Sequence, residues 1–442
     1  MKGIRNTYFT DRFFLCLLIL AVLFVMAFIF EWLYLPIQIL LGMFTLTVLV
    51  DLFLLFNRKA TLTIQRQYPE KISNGDINKF SIQLLSTYPH SIAIKILEEL
   101  PVQFQYRNFG LYSRLSPHDS KQFSYTLRPT ERGKYQFGHC HVFVKYWGFV
   151  QRRFTLKESA TLPCYPSFIQ LKKYTLLATT NRLTEIGIKR IKRVGNTMEF
   201  ERIREYNRGD DYRFINWKAT AKVRKVMVNQ YQEEKSQPIY SVIDMGRAMR
   251  MPFEELTLLD YAINASLVLS NIAIVKKDRA GLLTFSHHID QHIPPSKRSH
   301  QIKLISEGLY NIKTTFKETE FGNLYTYSKQ HLTQRALLFL YTNFETIDAM
   351  KRQLPYLRFL NNSHIIVVVV FKNTELKQLA EQPAKKSREI YNQIIAEKLV
   401  YEKQLIIQEL RMNGLQTILT EPKDLTINSI NKYLEIKARG LI

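Results

Sequence analysis

Cysteine is scarce in this 442-residue chain: Cys16, Cys140 and Cys164 are its three, with no CxxC and no close pair. That excludes a disulfide framework and a zinc ribbon, and it fits a reducing compartment. Several short motifs are missing as well. There is no GxxxxGK[ST], no GxGxxG opening a helix, no GxSxG elbow and no HExxH. Their absence argues against P-loop nucleotide hydrolysis, nicotinamide chemistry, α/β-hydrolase acyl transfer and zinc proteolysis. Acidic residues are in deficit, with 38 Asp and Glu against 62 Lys and Arg and a formal net charge of +24. Such a balance suits an anionic partner or an evenly basic solvated surface. No internal repeat and no low-complexity tract is present, and at 46% hydrophobic and 12% aromatic residues the chain has the means to bury several cores.

What is present begins at the N-terminus. Phe13–Phe30 is an unbroken apolar run, about 27 Å long as a helix. A second run, Trp32–Phe56, is interrupted by Pro36, Gln38, Gly42 and Asp51. Together they predict a transmembrane hairpin over 13–56, with helices at about 13–30 and 34–56, rather than a cleaved signal peptide. Lys2, Arg5 and Arg12 precede the first helix, and Arg58 and Lys59 follow the second. By the positive-inside rule residues 1–12 and everything after the hairpin face the cytoplasm, which places the bulk of the chain at a bacterial inner membrane. Asp51, near the inner end of its helix, is expected to snorkel to the interface.

Residues 60–166 read as a β-sandwich: Phe80–Leu85 and Val142–Tyr146 alternate, and Ser73–Asp76 and Glu131–Lys134 carry turn signals. A basic connector follows over 167–237, with fifteen Lys or Arg against six Asp or Glu between Lys172 and Lys225. From 238 to 442 strands and helices alternate. Strands are expected at Ile239–Asp244, Gly281–Ser286, Ala336–Thr342, His364–Phe371 and Gln416–Leu419. Helices are expected at Phe253–Val275, Gln301–Tyr310, Ile347–Leu360, Glu389–Met412 and Thr426–Ala438. The continuous apolar run Ile365–Phe371 marks a strand buried on both faces, so the domain reads as a doubly wound α/β fold.

His139, Cys140 and His141 alternate on a strand, with the histidines sharing a face. His288, Asp290 and His292 do the same. Neither group has a nearby third and fourth ligand, so both read as strand faces rather than metal sites. Asp244 ends the first α/β strand, where ligands of such folds bind. The stretch Val242–Met249 resembles the first strand of von Willebrand factor A domains. In that family an Asp-x-Ser-x-Ser motif supplies a carboxylate and two hydroxyls to a divalent cation, and a later strand often supplies another aspartate. Here Gly246 and Ala248 stand at the serine positions and Asn343 at the later one. The set lacks the charged oxygen ligands that a hard cation takes, and no cofactor is expected.

The stretch Glu199–Lys222 joins acids and bases around a Gly-Asp-Asp turn. Asp210 or Asp211 is expected to cap a short helix through Trp217 and Lys218, with Arg204 and Arg213 pairing the other carboxylate. Glu199, Arg204, Tyr206, Gly209, Asp210, Asp211, Arg213, Trp217 and Lys218 resemble the hallmark of the bacterial domain of unknown function 58 family. With the two N-terminal helices and the α/β tail, the resemblance runs over nearly the whole chain. Members are typically encoded beside MoxR-type AAA+ ATPases and are thought to help assemble or mature other proteins. The resemblance implies a non-enzymatic membrane scaffold or adaptor, held in lipid by its two helices, with such an ATPase and an unknown client as partners. It supplies no catalytic residues. Two rivals stand beside it: a cation-dependent receptor or enzyme built on Asp244, and a nucleic-acid or anionic-lipid binder using the basic connector. No RRM, KH or helix-turn-helix signature accompanies that connector, so specific nucleic-acid binding is not expected.

Overall fold

A computed structural model describes residues 6–56, 60–107, 109–179, 200–207, 210, 212, 215–231, 236–382 and 386–441. The chain divides into two compact units, Met1–Tyr165 and Pro166–Ile442.

The first unit opens with a short strand β1 (Thr7–Phe9) and two long apolar helices, α1 (Asp11–Ile29) and α2 (Tyr34–Leu55). Their mean hydropathies of 2.8 and 2.2, the latter taken from Glu31 onward, and their largely exposed surfaces suit a membrane anchor. After the anchor come β2 (Leu62–Gln67), β3 (Ile72–Ser73), β4 (Asn78–Ser86), β5 (Ile92–Glu98), β6 (Gly110–Leu115), β7 (Ser120–Leu127), β8 (Gly133–Phe137), β9 (Cys140–Lys145), β10 (Val150–Leu156) and β11 (Ala160–Tyr165). They form sheets ordered β1-β10-β9-β5-β6, β2-β4-β7 and β3-β11-β8 around one core. Alternation is strict in β5, where Ile92, Ile94 and Ile96 face inward and Ala93 and Lys95 outward. Glu98 is buried in this core. It accepts hydrogen bonds from Tyr68 and Tyr125, both at 2.7 Å, with the Arg66 guanidinium 3.6 Å away, so this buried acid is charge-compensated and its oxygens are occupied. Burial beside that carboxylate drives both tyrosine hydroxyls far above their usual range.

The anchor is built into the sandwich. β1 pairs antiparallel with β10, so the segment before the first helix and the domain after the second share one edge of a sheet. Asp51 does not snorkel. It is fully buried and accepts the backbone N–H of Trp147, Phe149 and Val150 at 3.2, 3.2 and 3.0 Å. The β9–β10 hairpin supplies donors that the helix end cannot reach alone, and this outweighs the pull of water on the carboxylate. Leu55, whose carbonyl the helix end leaves free, accepts from Tyr88 Oη at 3.1 Å and Arg152 Nη1 at 2.9 Å.

In the second unit, α3 (Phe168–Thr179) lays Leu171 and Tyr174 on the core of the α/β domain. The stretch read as a connector therefore opens with a helix of that domain. Next come β12 (Phe200–Glu205), α4 (Trp217–Val223) and β13 (Met227–Tyr231), in which β12 and β13 form an antiparallel pair. The domain proper follows: β14 (Pro238–Asp244), a small hairpin of β15 (Pro252–Phe253) and β16 (Leu256–Thr257), α5 (Leu258–Val275), β17 (Arg279–Phe285), β18 (Ile289–Ser296), α6 (Gln301–Tyr310), α7 (Phe321–His331), β19 (Leu337–Tyr341), α8 (Ile347–Ser363), β20 (Ile365–Phe371), α9 (Thr374–Glu381), α10 (Ser387–Met412), β21 (Gln416–Thr420) and α11 (Leu425–Ala438). The sheet order is β18-β17-β14-β19-β20-β21, parallel except for the antiparallel edge strand β18. Helices cover both faces: α5, α6 and α11 pack on one core, α7, α8 and α10 on the other.

The expected helix Phe253–Val275 starts only at Leu258. Glu254 and Glu255 adopt positive φ in the small hairpin before it, and Thr257 and Asp260 form a capping box that fixes the start. This helix is long and apolar enough to cross a membrane, yet 78% of it is buried, which identifies it as a core helix. α7 and α9 have no counterpart among the expected helices.

Candidate functional site

β14 lies between β17 and β19. The chain leaves β14 toward one side of the sheet and later returns through β19 on the other, so the carboxyl ends of β14 and β19 form the point where the winding reverses. A cleft of about 100 Å³ opens there, lined by Asp244, Arg247, Thr319, Asn343, Glu345 and Arg352 among others. Asp244 closes β14 at its floor and is buried. Its Oδ1 accepts from the Gly246 N–H at 2.7 Å and the Thr319 hydroxyl at 2.6 Å, and its Oδ2 from the Thr342 hydroxyl at 2.7 Å. Burial raises its pKa, while those three donors pull it back down.

Gly246 is not an empty serine position. A Cβ there would lie 1.9 Å from Thr319 Oγ1, so a serine would displace the threonine that now holds Asp244. Asn343 is engaged in its own way: Lys403 of α10 donates from Nζ to Asn343 Oδ1 at 2.7 Å and also to the Phe344 carbonyl. Desolvation pushes the Lys403 pKa down to about 8, opposed by Glu345 and Glu402. Ala248 contributes its carbonyl, 3.4 Å from Asn343 Nδ2. The positions at which the resemblance expected cation ligands thus hold one carboxylate with protein donors on both oxygens, two side chains without oxygen, and an amide oxygen that faces an ammonium. These residues do not fit a hard divalent cation. Among the described residues no group of three or more His, Cys, Asp and Glu is arranged to hold a metal ion.

In the hallmark stretch, Asp210 does not cap the helix. Its Oδ1 takes the Arg204 Nη2 donor at 2.6 Å and its Oδ2 the Asn207 N–H at 2.9 Å, closing the Asn207–Asp210 turn. Arg204 holds the Asp210 carboxyl below its usual range. The cap of α4 is Asn216, whose Oδ1 accepts from the Ala219 N–H at 2.9 Å. Asn216 sits immediately before Trp217, where an N-cap must sit, whereas Asp210 lies a turn too far upstream. Tyr206 donates its backbone N–H to the Val226 carbonyl at 2.8 Å. Tyr212 and Trp217 are each 71% exposed, and Lys218 is exposed beside them. Glu199, Gly209, Asp211 and Arg213 lie outside the described residues.

The histidine groups resolve separately. His141 Nδ1 meets Thr155 Oγ1 at 3.0 Å and its Nε2 meets Glu99 at 3.1 Å, while Cys140 is buried in the sandwich core. His288 and Asp290 are exposed, but His292 is wedged between Tyr327 Oη at 3.1 Å and Tyr240 Oη at 3.4 Å. Sequence reasoning missed Thr319, Thr342 and Lys403, which reach the Asp244 site from 75, 98 and, toward Asn343, 60 residues away.

No curated protein matches the chain. Similar solved structures include the PapD-like domain 7 of human CEP192, 14% identical over 25% of this chain and 89% of that one at a TM-score of 0.20. Another is the conserved hypothetical protein BatB of Bacteroides thetaiotaomicron, 11% identical over 46% of this chain and 100% of that one, TM-score 0.29. The family described as "Protein of unknown function DUF58" matches residues 202–391, from near the start of the hallmark stretch to the first turn of α10. Over these residues the chain matches the domain of unknown function 58 family.

Proposed function

We propose that this protein is a membrane-anchored scaffold or adaptor at the cytoplasmic face of a bacterial inner membrane. Its α/β domain, a degenerate von Willebrand factor A-like doubly wound fold, serves as a docking module for a MoxR-type AAA+ ATPase and for a client protein. The observation that carries this reading is Asp244. The position where the fold would hold a reactive or cation-binding carboxylate is closed by Gly246, Thr319 and Thr342, and the half-buried Lys403 ammonium sits on Asn343. Among the described residues no nucleophile–base pair is arranged there, so the cleft offers shape and charge rather than chemistry. The sheet order, with its antiparallel edge strand, supports the fold assignment. Exposed Tyr212 and Trp217 supply aromatic anchors of the kind that dominate protein interfaces. The ATPase partner rests on the family resemblance.

The test is photo-crosslinking in intact cells, with the probe placed at Trp217, at Arg352 in the cleft, and at exposed Phe359 on α8 as a control. The reading expects adducts with an AAA+ ATPase at one of the first two positions and not at the control. Identical adduct patterns at all three positions would sink it.

A further inference from the structure

The outer face of the five-stranded sheet carries basic residues beside the anchor. Lys145, Ala93 and Arg114 lie in one row across β9, β5 and β6, because Ala93 pairs with both Lys145 and Arg114. The small Ala93 leaves a depression of about 400 Å³, whose rim adds Lys95 and Tyr112 and contains no acidic residue. Lys95 sits over the Tyr112 ring, 5.4 Å from its centre.

This row adjoins the hairpin that the anchor grips. Lys145 is the last residue of β9, and the next residues, Tyr146–Phe149, form the tip. Asp51, one helical turn before the end of α2, takes three N–H groups from the tip and from Val150. Thr10, at the N-cap of α1, donates its hydroxyl to Gly148 and its N–H to Phe149. Phe149 packs edge-on against Phe44, well inside α2, with ring centres 5.6 Å apart. Trp147 stays half exposed and stacks on Tyr146. The tip therefore reaches below the end of the helix into the layer where lipid headgroups lie, with an indole and a phenol at the depth such rings favour.

We propose that this rim, Tyr146 and Trp147 with Lys95, Arg114 and Lys145, binds the headgroups of anionic phospholipids and seats the sandwich directly on the leaflet. The charges match, the aromatic residues are those of a membrane interface, and the Asp51 clamp leaves the rim no other height. Anionic lipid attracts basic residues next to a membrane span, and each contributes separately. The surface is distinct from the basic stretch between Lys172 and Lys225.

The experiment uses the full chain in lipid nanodiscs, either of phosphatidylcholine alone or with about 30% phosphatidylglycerol, enough to charge the surface. Acylation of Lys95 and Lys145 by an amine reagent is followed by mass spectrometry, with exposed Lys351 on α8 as reference. The expected result is a slowing of roughly fivefold at both lysines in anionic discs relative to Lys351. It should be relieved by about 0.5 M salt, which shortens the screening length to roughly 4 Å. Equal rates in the two lipids would overturn the proposal. So would equal protection in neutral discs given soluble glycerol phosphate, which would make the site a phosphate pocket rather than a lipid surface. A second arm leaves Trp147 as the only tryptophan (Trp32→Phe, Trp217→Phe). Its emission should shift to shorter wavelength in anionic discs, and Lys95→Gln, Arg114→Gln and Lys145→Gln together should abolish that shift. A shift that survives those three changes also overturns the proposal. If the triple variant fails to fold, the acylation of the unmodified chain decides alone.

Discussion

Replacing Asp51 with leucine removes the acceptor for three backbone N–H groups at once, those of Trp147, Phe149 and Val150. A hydrogen bond to a charged group contributes about 1.5–3 kcal/mol, so the gross loss is roughly 5–9 kcal/mol. Against that, the variant no longer has to bury a carboxylate, which returns several kcal/mol. A net loss of about 3–5 kcal/mol remains, because three backbone N–H donors are left without their acceptor. In a unit of this size that amounts to a fall of roughly 6–20 °C in melting temperature. Asp51→Asn should cost less. If its amide oxygen takes the place of Oδ2, it keeps Phe149 and Val150 and loses Trp147, at about 1–3 kcal/mol. The assay is thermal unfolding of the full chain in detergent, followed through Trp147 fluorescence in the Trp32→Phe, Trp217→Phe background. A leucine variant within about 0.5 kcal/mol of the parent would refute the reasoning. The hairpin would then rest on its apolar contacts with Phe44 and need no acceptor beneath it.

Asp244→Asn should change stability by less than about 1 kcal/mol, because asparagine keeps an acceptor for Gly246 and Thr319 and Thr342 has a hydroxyl free to turn and accept. In the same melting experiment millimolar Mg²⁺ should leave the unmodified chain unshifted; a site filled to 100 times its Kd would add about 2.7 kcal/mol, and a shift abolished by Asp244→Asn would contradict the reading. Asn216→Ala should cost about 0.5–2 kcal/mol through loss of the α4 cap, whereas Asp210→Asn should leave that helix intact, with circular dichroism and melting as the measure. Lys403 binds its proton less tightly when folded, with a pKa of about 8 against 10.5 when free. Between those pH values the unfolded chain holds more protons, so stability rises with pH across that window and is lost again as pH falls toward 8. Relative to Lys403→Met, the parent should gain up to about 3 kcal/mol from pH 7 to 10.5, and parallel stability curves would count against it.

The sheet was legible where one residue type decided it. Ile365–Phe371 offers no polar residue for a solvent face, so it had to be buried on both sides, and β20 is. α7 was not legible. Its sequence, FGNLYTYSKQH, has modest helix propensity, and it folds because Phe321 and Leu324 fill the core beneath β17 and β19. Asp51 was misread because nothing local tells a snorkelling acid from a clamped one; the three donors lie nearly 100 positions away. The Asp244 site was half visible. Its missing hydroxyls could be read from Gly246 and Ala248, but the threonines and the lysine that close it come from distant loops and from α10. At the hallmark turn two adjacent aspartates outweighed the plainer signal of Asn216, which stands directly before the helix it caps.

The pairing of Thr7–Phe9 with Val150–Arg152 sets an order of events during synthesis. The first strand leaves the ribosome before either membrane helix, yet its partner follows roughly 140 residues later, about 7–30 s at ordinary elongation rates. Under the proposed membrane topology, the hairpin is therefore inserted while its leading segment is still unpaired. For that interval an edge strand with free backbone groups waits at the membrane surface. In a membrane crowded with nascent copies, the same three residues are a point at which one chain could complete its neighbour's sheet instead of its own. Once the Gly148 turn has formed, the Thr10 hydroxyl donates to its carbonyl and Arg12 lies beside it, which favours the chain's own partner over a neighbour's.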